Sequence, residues 1–296
     1  MLRLKQYTQN LLKRAGIYQR LKASPVYNLY WSFADRSIVA RRNREIRFYH
    51  SLLNGFHPGS LIFDVGANHG TKTDIFLKLG ARVLAIEPDQ TNQEILREKF
   101  LTFRFRRQPV VIVGKALSEK DSVETMWIDE PGSAKNTLSR KWVETLKRDD
   151  ERFGQHHDFS HRTTVETTTL DQLIGIHGLP FFIKIDVEGY EPSVLRGLHS
   201  AVPYLSFEVN LPEFAPDGQE CVEMLDRLAG GTFNYAAGDY ERGLALQDWL
   251  PAREFSQVLA RCEEKSIEVF WKTPVIRDLS TMLPEDKLAP SVEEGR

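Results

Sequence analysis

Short apolar runs that alternate with amphipathic stretches constrain this chain more than any other feature. "SLIFDV" (60–65) reads as a buried strand, and "GTKTDIFLKLG" as an amphipathic helix closed by Gly80. "ARVLAIEPD" is a second strand stopped by Pro88, "TNQEILREKF" a helix starting at Thr91 or Asn92, and "PVVIVGKAL" a third strand. Parallel neighbours need a crossover, and a helix supplies it, so this repetition implies a parallel sheet wound on both faces. The alternation then resumes. "FFIKIDVEG" is a fourth core strand, "YEPSVLRGL" a helix and "YLSFEVN" a fifth strand. Helix "GQECVEMLDRLAG", strand "TFNYAAG", a helix near 250–263 and strand "SIEVFWKT" complete the pattern. The expected fold class is α/β, a Rossmann-like doubly wound sheet.

Other segments are less regular. "SVETMWI" alternates like an exposed antiparallel strand, and "TTTLDQLIGIHG" gives a strand end and a helix. Between them, residues 129–162 form a charged insertion, expected to be helical and mobile, that carries His156, His157 and His161. Three regions are expected: a basic helical extension over 1–58, a domain over 59–273, and a disordered tail over 274–296, which is rich in proline and charge.

A chain of 296 residues with 41% hydrophobic and 27% charged residues suits a globular protein in water. No apolar run reaches the roughly 18 residues of a membrane span, and no secretory signal is expected at the start. Cys221 and Cys262 stand alone without a CxxC, which disfavours a disulfide framework or zinc knuckle and makes a cytoplasmic location the expectation. Residues 1–50 hold eleven Lys/Arg against Asp35 and Glu45, about +9, so the rest carries about −11 to give the overall −2. One reading is a solvated helical surface. The other is peripheral contact with an anionic membrane, because Leu4, Tyr7, Leu11, Leu12 and Tyr18 permit an amphipathic helix. The remaining chain is acidic and has no recognition motif, so no nucleic-acid partner is expected.

In doubly wound sheets, ligands bind at the carboxyl ends of strands. The first such end reads Asp64-x-Gly66-x-Asn68-x-Gly70. Lys72 does not directly follow a glycine, which excludes a Walker phosphate loop. Asn68 and Thr71 stand where the dinucleotide fingerprint needs glycine. Glu87, at the end of the second strand, is placed to accept both hydroxyls of a ribose, and Asp64 suits an ammonium group. A ligand with adenosine ribose and ammonium but no pyrophosphate is S-adenosylmethionine.

"FDVGANHG", "AIEPD", "KALSEKDSVETMWI", "TTLDQL" and "IKIDVEGYEPSVLRGL", in this order, resemble the FkbM-type family of class I S-adenosylmethionine-dependent methyltransferases. The likeness covers roughly residues 60–210. It implies a seven-stranded, mostly parallel sheet with an antiparallel edge strand, and O-methylation of sugar, polyketide or similar hydroxyls. Gly66 and Gly70 are then expected to let backbone approach the methionine end of the cofactor, or else only to make a tight turn. Asn68 would orient its carboxylate or cap the helix. Ala116, Leu117 and Ser118, at the third strand end, are candidates for adenine.

For catalysis an alcohol acceptor needs a base. Asp186, Glu188, Glu208 and His69 are the candidates, in that order, with Asp186 also placed beside the cofactor's methyl group. The plain alternatives are a structural Lys184–carboxylate pair, a loop-capping Glu208 and a turn residue at His69. Oxygen ligands from Asp186, Glu188 and Glu208 suit magnesium, but no spacing requires an ion and no metal is expected. The acceptor expected is a small-molecule or glycan hydroxyl. The alternative is a non-catalytic, cofactor-binding scaffold protein of the same fold at a membrane surface. An NAD-dependent oxidoreductase is disfavoured by the missing third glycine.

Overall fold

The apolar run at 61–65 becomes β1 (Leu61–Val65), buried at every position, as a central parallel strand with helices on both faces must be. The computed structural model describes residues 36–101, 110–148, 157–238 and 240–274. The expected basic helices before residue 36, His156 and most of the expected tail lie outside them. After β1 come α2 (Thr71–Lys78), β2 (Arg82–Ile86) and α3 (Gln90–Lys99), preceded by α1 (Arg36–Leu52). Asp89 caps α3, its Oδ1 accepting from the amides of Thr91 and Asn92, so that helix starts earlier than Thr91.

The expected third strand is two strands. β3 (Val110–Val113) pairs with β2, and β4 (Ala116–Leu117) leaves for a second sheet. The break falls at Gly114, which is packed against the Gln93 side chain. β5 (Val123–Ile128) runs antiparallel to β6 (His161–Thr168), giving a three-stranded sheet in the order β4-β6-β5. His161 therefore opens a strand. His157 is buried, with Nδ1 3.0 Å from Asp129 Oδ2, which is not the expected mobile loop. The insertion does contain a helix, α4 (Arg140–Arg148).

The main sheet is completed by β7 (Phe182–Ile185), β8 (Tyr204–Asn210), β9 (Thr232–Ala237) and β10 (Ser266–Lys272), in the order β3-β2-β1-β7-β8-β10-β9. Helices α5 (Leu170–His177), α6 (Glu191–Leu195), α7 (Ala215–Ala229) and α8 (Ala252–Leu259) connect them. Pairings from β3 to β8 are parallel, and β10 runs antiparallel to both β8 and β9. This is the expected seven-stranded, mostly parallel sheet, with its antiparallel strand β10 next to the edge strand β9. β1 lies between β2 and β7, so the chain switches direction across the sheet at β1, the place where such folds take ligands.

The C-terminal half of α1 and Leu53 are integrated into one of the hydrophobic cores. Phe48, Tyr49, Leu52 and Leu53 are buried with Phe76 of α2 and Phe182 of β7, and the Tyr49 ring meets Phe76 edge-on with centroids 5.1 Å apart. The Tyr49 hydroxyl, fully buried, sits 3.2 Å from that of Tyr240 and donates to Glu268 of β10. Lys72 of α2 donates to Glu45 Oε2 at 2.6 Å and to Tyr240 at 3.0 Å. The helix is thus held by both apolar burial and a satisfied polar network. Among the described residues no helix is long and apolar enough to cross a membrane.

Replacing Tyr49 with Ala removes this ring and its hydroxyl, and should cost about 3–5 kcal/mol of stability, read by urea denaturation. A loss below about 1 kcal/mol would mean that α1 does not pack here as described.

Candidate active site

At the β1 end the backbone folds back through Gly66 at φ +77°. A side chain at this position would land on the Asp186 carbonyl of the neighbouring β7 end, so glycine is required by the closeness of two strand ends. Asn68 follows at φ +47°, a left-handed conformation that Asn tolerates. Its amide donates to Glu87 Oε2 at 2.8 Å, and its Oδ1 accepts from the His69 amide at 2.7 Å. It therefore braces the turn and does not cap α2, whose N-cap is Gly70 without a side-chain bond.

These residues open on a cleft. Gly66, Asn68, Glu87, Ala116, Leu117, Asp186 and Glu188 all line it, so seven of the expected site residues come together. The others stand elsewhere. Gly70 is packed against α3 and its C-cap, where a Cβ would collide with the Leu96 and Phe100 side chains. His69 is in the turn but not among the residues lining the cleft, and its carbonyl accepts from Lys99. Ser118 lies behind the wall with its hydroxyl donated to Glu124. Asp64 is buried a layer back, with Thr73 on Oδ2 at 2.5 Å. Glu208 is a neighbour of the cleft residues, accepting from Ser266 at 2.8 Å.

Several lining residues have no counterpart in the sequence reading. Asn92 and Tyr190 carry no local signature, although Tyr190 lies inside the quoted "VEGYE". Asn136 and Thr137 come from the insertion and are tied to the cleft by long-range bonds. The amide of Gly132 and Nδ2 of Asn136 donate to Asp89 Oδ2, and the Thr137 hydroxyl donates to the Glu188 carbonyl at 2.8 Å. Met126 is the buried position of a strand whose other residues are exposed or partly exposed.

The electrostatics differ sharply along the cleft. At one end, burial pushes Glu87 up to about 7, while the amides of Asp89 and Asn68 pull the other way. At the other, burial would raise Asp186, but the Lys184 ammonium 2.7 Å away outweighs it and keeps the carboxyl below its usual range. The Lys184–Asp186 pair therefore exists, and Asp186, 36% exposed, still faces the cleft. Burial raises Glu188 to about 7, with Lys135 opposing and Asp186 adding to the rise. Glu208 is held well above the carboxylate range by burial and then by Asp186 and Glu188. Carboxylate oxygens of Asp186, Glu188 and Glu208 lie within 4.8 Å of one another. Lys184 and Lys135 already pair with two of them.

Residues 64–235 match the family described as the methyltransferase FkbM domain. The chain belongs to that family. The match spans more than half its length and includes both strand ends that meet at Gly66. No curated protein matches it. Among solved structures it is similar to a TehB-like SAM-dependent methyltransferase from Corynebacterium glutamicum (12% identity, TM-score 0.39, covering 84% of this chain and 100% of that one). It is also similar to a SAM-dependent O-methyltransferase from Thermotoga maritima (10%, 0.40, 79% and 66%) and to a SAM-dependent methyltransferase from Agrobacterium tumefaciens (9%, 0.38, 78% and 62%). The chain thus spans about two thirds of the length of the last two.

Membership in the FkbM family makes S-adenosylmethionine the cofactor against which the cleft is read. The residues fit it. Asn92 Oδ1, on the cleft wall, is buried with no partner among the described residues, and each Glu87 oxygen accepts a single backbone amide. These acceptors suit a ligand that brings hydroxyl and amino donors. Glu87 would hold the ribose, Ala116 and Leu117 the base, and Gly66 and Asn68 the methionine end.

Hydroxyls donate to the ionised form of Glu87, so binding should draw its titration below about 7. Cofactor affinity should therefore tighten as pH rises from about 6 to 8 and level off above, in calorimetric titrations. Glu87→Gln should weaken binding about tenfold or more and flatten this dependence. Unchanged affinity in that variant would remove Glu87 from the cofactor site.

Proposed function

We propose that this methyltransferase transfers the methyl group of S-adenosylmethionine to a hydroxyl of a sugar, glycan or secondary-metabolite acceptor. The observation that carries this reading is the place of Glu188 on the cleft wall beside Asp186, where burial pushes its carboxyl up to about 7 while Lys184 keeps Asp186 low. An alcohol must lose its proton as it attacks, and a base is most effective when its pKa lies near the working pH.

The bound cofactor supplies an electrophilic methyl carbon: the acceptor oxygen forms the new C–O bond as the S–C bond breaks. Glu188 takes the hydroxyl proton. Asp186, kept ionised by Lys184, accepts a hydrogen bond from a second acceptor hydroxyl and fixes its orientation. Glu208, its carboxylate within 4.8 Å of those of Asp186 and Glu188, completes the acidic corner behind them. Little charge is created in such a displacement, so alignment supplies most of the acceleration, with up to about 7–11 kcal/mol available from orientation. The cleft supports this division of labour, because the ribose acid and the base stand on one continuous wall.

The full chain, methyl-labelled cofactor and a glycan extract should give an O-methylated product, detected by mass spectrometry as a gain of CH₂. Glu188→Gln should lower kcat by about 10²–10⁴-fold while cofactor binding persists. A variant that turns over normally, or a product methylated on nitrogen or carbon, would contradict the reading.

A further inference from the structure

Glu188 is held in an unusual way. Its backbone takes φ +55°, where a side-chain-bearing residue is strained, and such a conformation persists only where its surroundings fix it. The fixing comes from the segment between β5 and α4, outside the motifs that carry the family resemblance. The Thr137 hydroxyl donates to the carbonyls of both Val187 and Glu188, at 3.3 and 2.8 Å. Two residues earlier, the Lys135 ammonium donates to both carboxylate oxygens of Glu188, at 3.1 and 3.4 Å. Lys135 also lies 5.2 Å over the ring of Trp142, which is fully buried.

The other end of this segment is tied to the ribose end of the cleft. Asp89, whose amide donates to Glu87, receives Gly132 and Asn136 on its second carboxylate oxygen. The segment therefore forms a strap from the Glu87 corner to the Glu188 corner. Lys135 itself does not line the cleft.

We propose that Lys135 is a positioning residue for the transfer reaction: from the strap it aims the Glu188 carboxylate and sets its charge, without touching cofactor or acceptor. The proposal rests on the reading of Glu188 as the base. Other charged groups face Glu188 as well. Asp186 at the β7 end, Glu191 of α6 and Glu208 of β8 are acidic, and Lys184 is engaged behind Asp186. Lys135 is thus the cation placed directly on Glu188 within an acidic corner, and losing its charge makes Glu188 harder to ionise.

The test uses the full chain labelled with carboxyl-carbon-13 glutamate, comparing wild type, Lys135→Met and Lys135→Arg, each checked for an unchanged thermal melt. In Lys135→Met the NMR titration of Glu188 should move to higher pH, and Lys135→Arg should restore it. With labelled cofactor and the acceptor extract, kcat of Lys135→Met should fall about tenfold and its acid limb should move up in pH, while cofactor affinity stays unchanged. An unmoved titration and unchanged kcat in Lys135→Met would overturn the proposal, as would a parallel loss of cofactor affinity. Glu188→Gln separates the two ideas. If it turns over like wild type, the base assignment fails. If it is inactive while Lys135→Met behaves as wild type, only the positioning role fails.

Discussion

The ends of β1 and β7 approach so closely that the Asp186 carbonyl fills the space a side chain at position 66 would need. This contact joins the two halves of the site. β1 ends in the turn whose Asn68 amide binds Glu87, and β7 ends in the Asp186–Glu188 segment. A side chain at 66 would force one of the two strand ends to shift beside the register that pairs Val65 with Ile185. The cleft is a consequence of this packing: a doubly wound sheet opens at its switch point, and the two strand ends there carry the acids.

Polarity is distributed around that contact so that like residues behave differently. Glu87 and Glu188 are raised by burial, while Asp186 is lowered because Lys184 stands beside it. Lys184 is itself buried, and it is kept charged against burial by Asp186, Glu268 and Asp64. Through Glu268 the site reaches Tyr49 and Tyr240, and so the α1 helix. A buried ion pair of this kind is weak as a source of stability but fixes which carboxylate is ionised.

Much of this was legible in the sequence. Core strands such as β8, read from "YLSFEVN", are buried on both faces and leave an apolar signature of the right length. The acids at strand ends could be named because the strand defines its own end. What local pattern could not give were long-range choices. "PVVIVGKAL" reads as one apolar run, yet Gly114 sends its second half to another sheet. Gly70 looked like a ligand-facing glycine, but its contact is with the Phe100 ring thirty residues on. The strap at 129–139 has no periodicity at all. It is built from bonds to Asp89, Glu188 and His157, partners a sequence window does not contain.

The central claim is that one cleft carries the cofactor's ribose on Glu87 and presents its methyl to Asp186 and Glu188. A crystal structure of the full chain with S-adenosylhomocysteine tests it most directly. The account predicts both ribose hydroxyls within hydrogen-bond distance of Glu87 and the sulfur turned toward the Asp186–Glu188 end. A nucleoside bound with Glu87 untouched, or a sulfur directed away from those carboxylates, would contradict it.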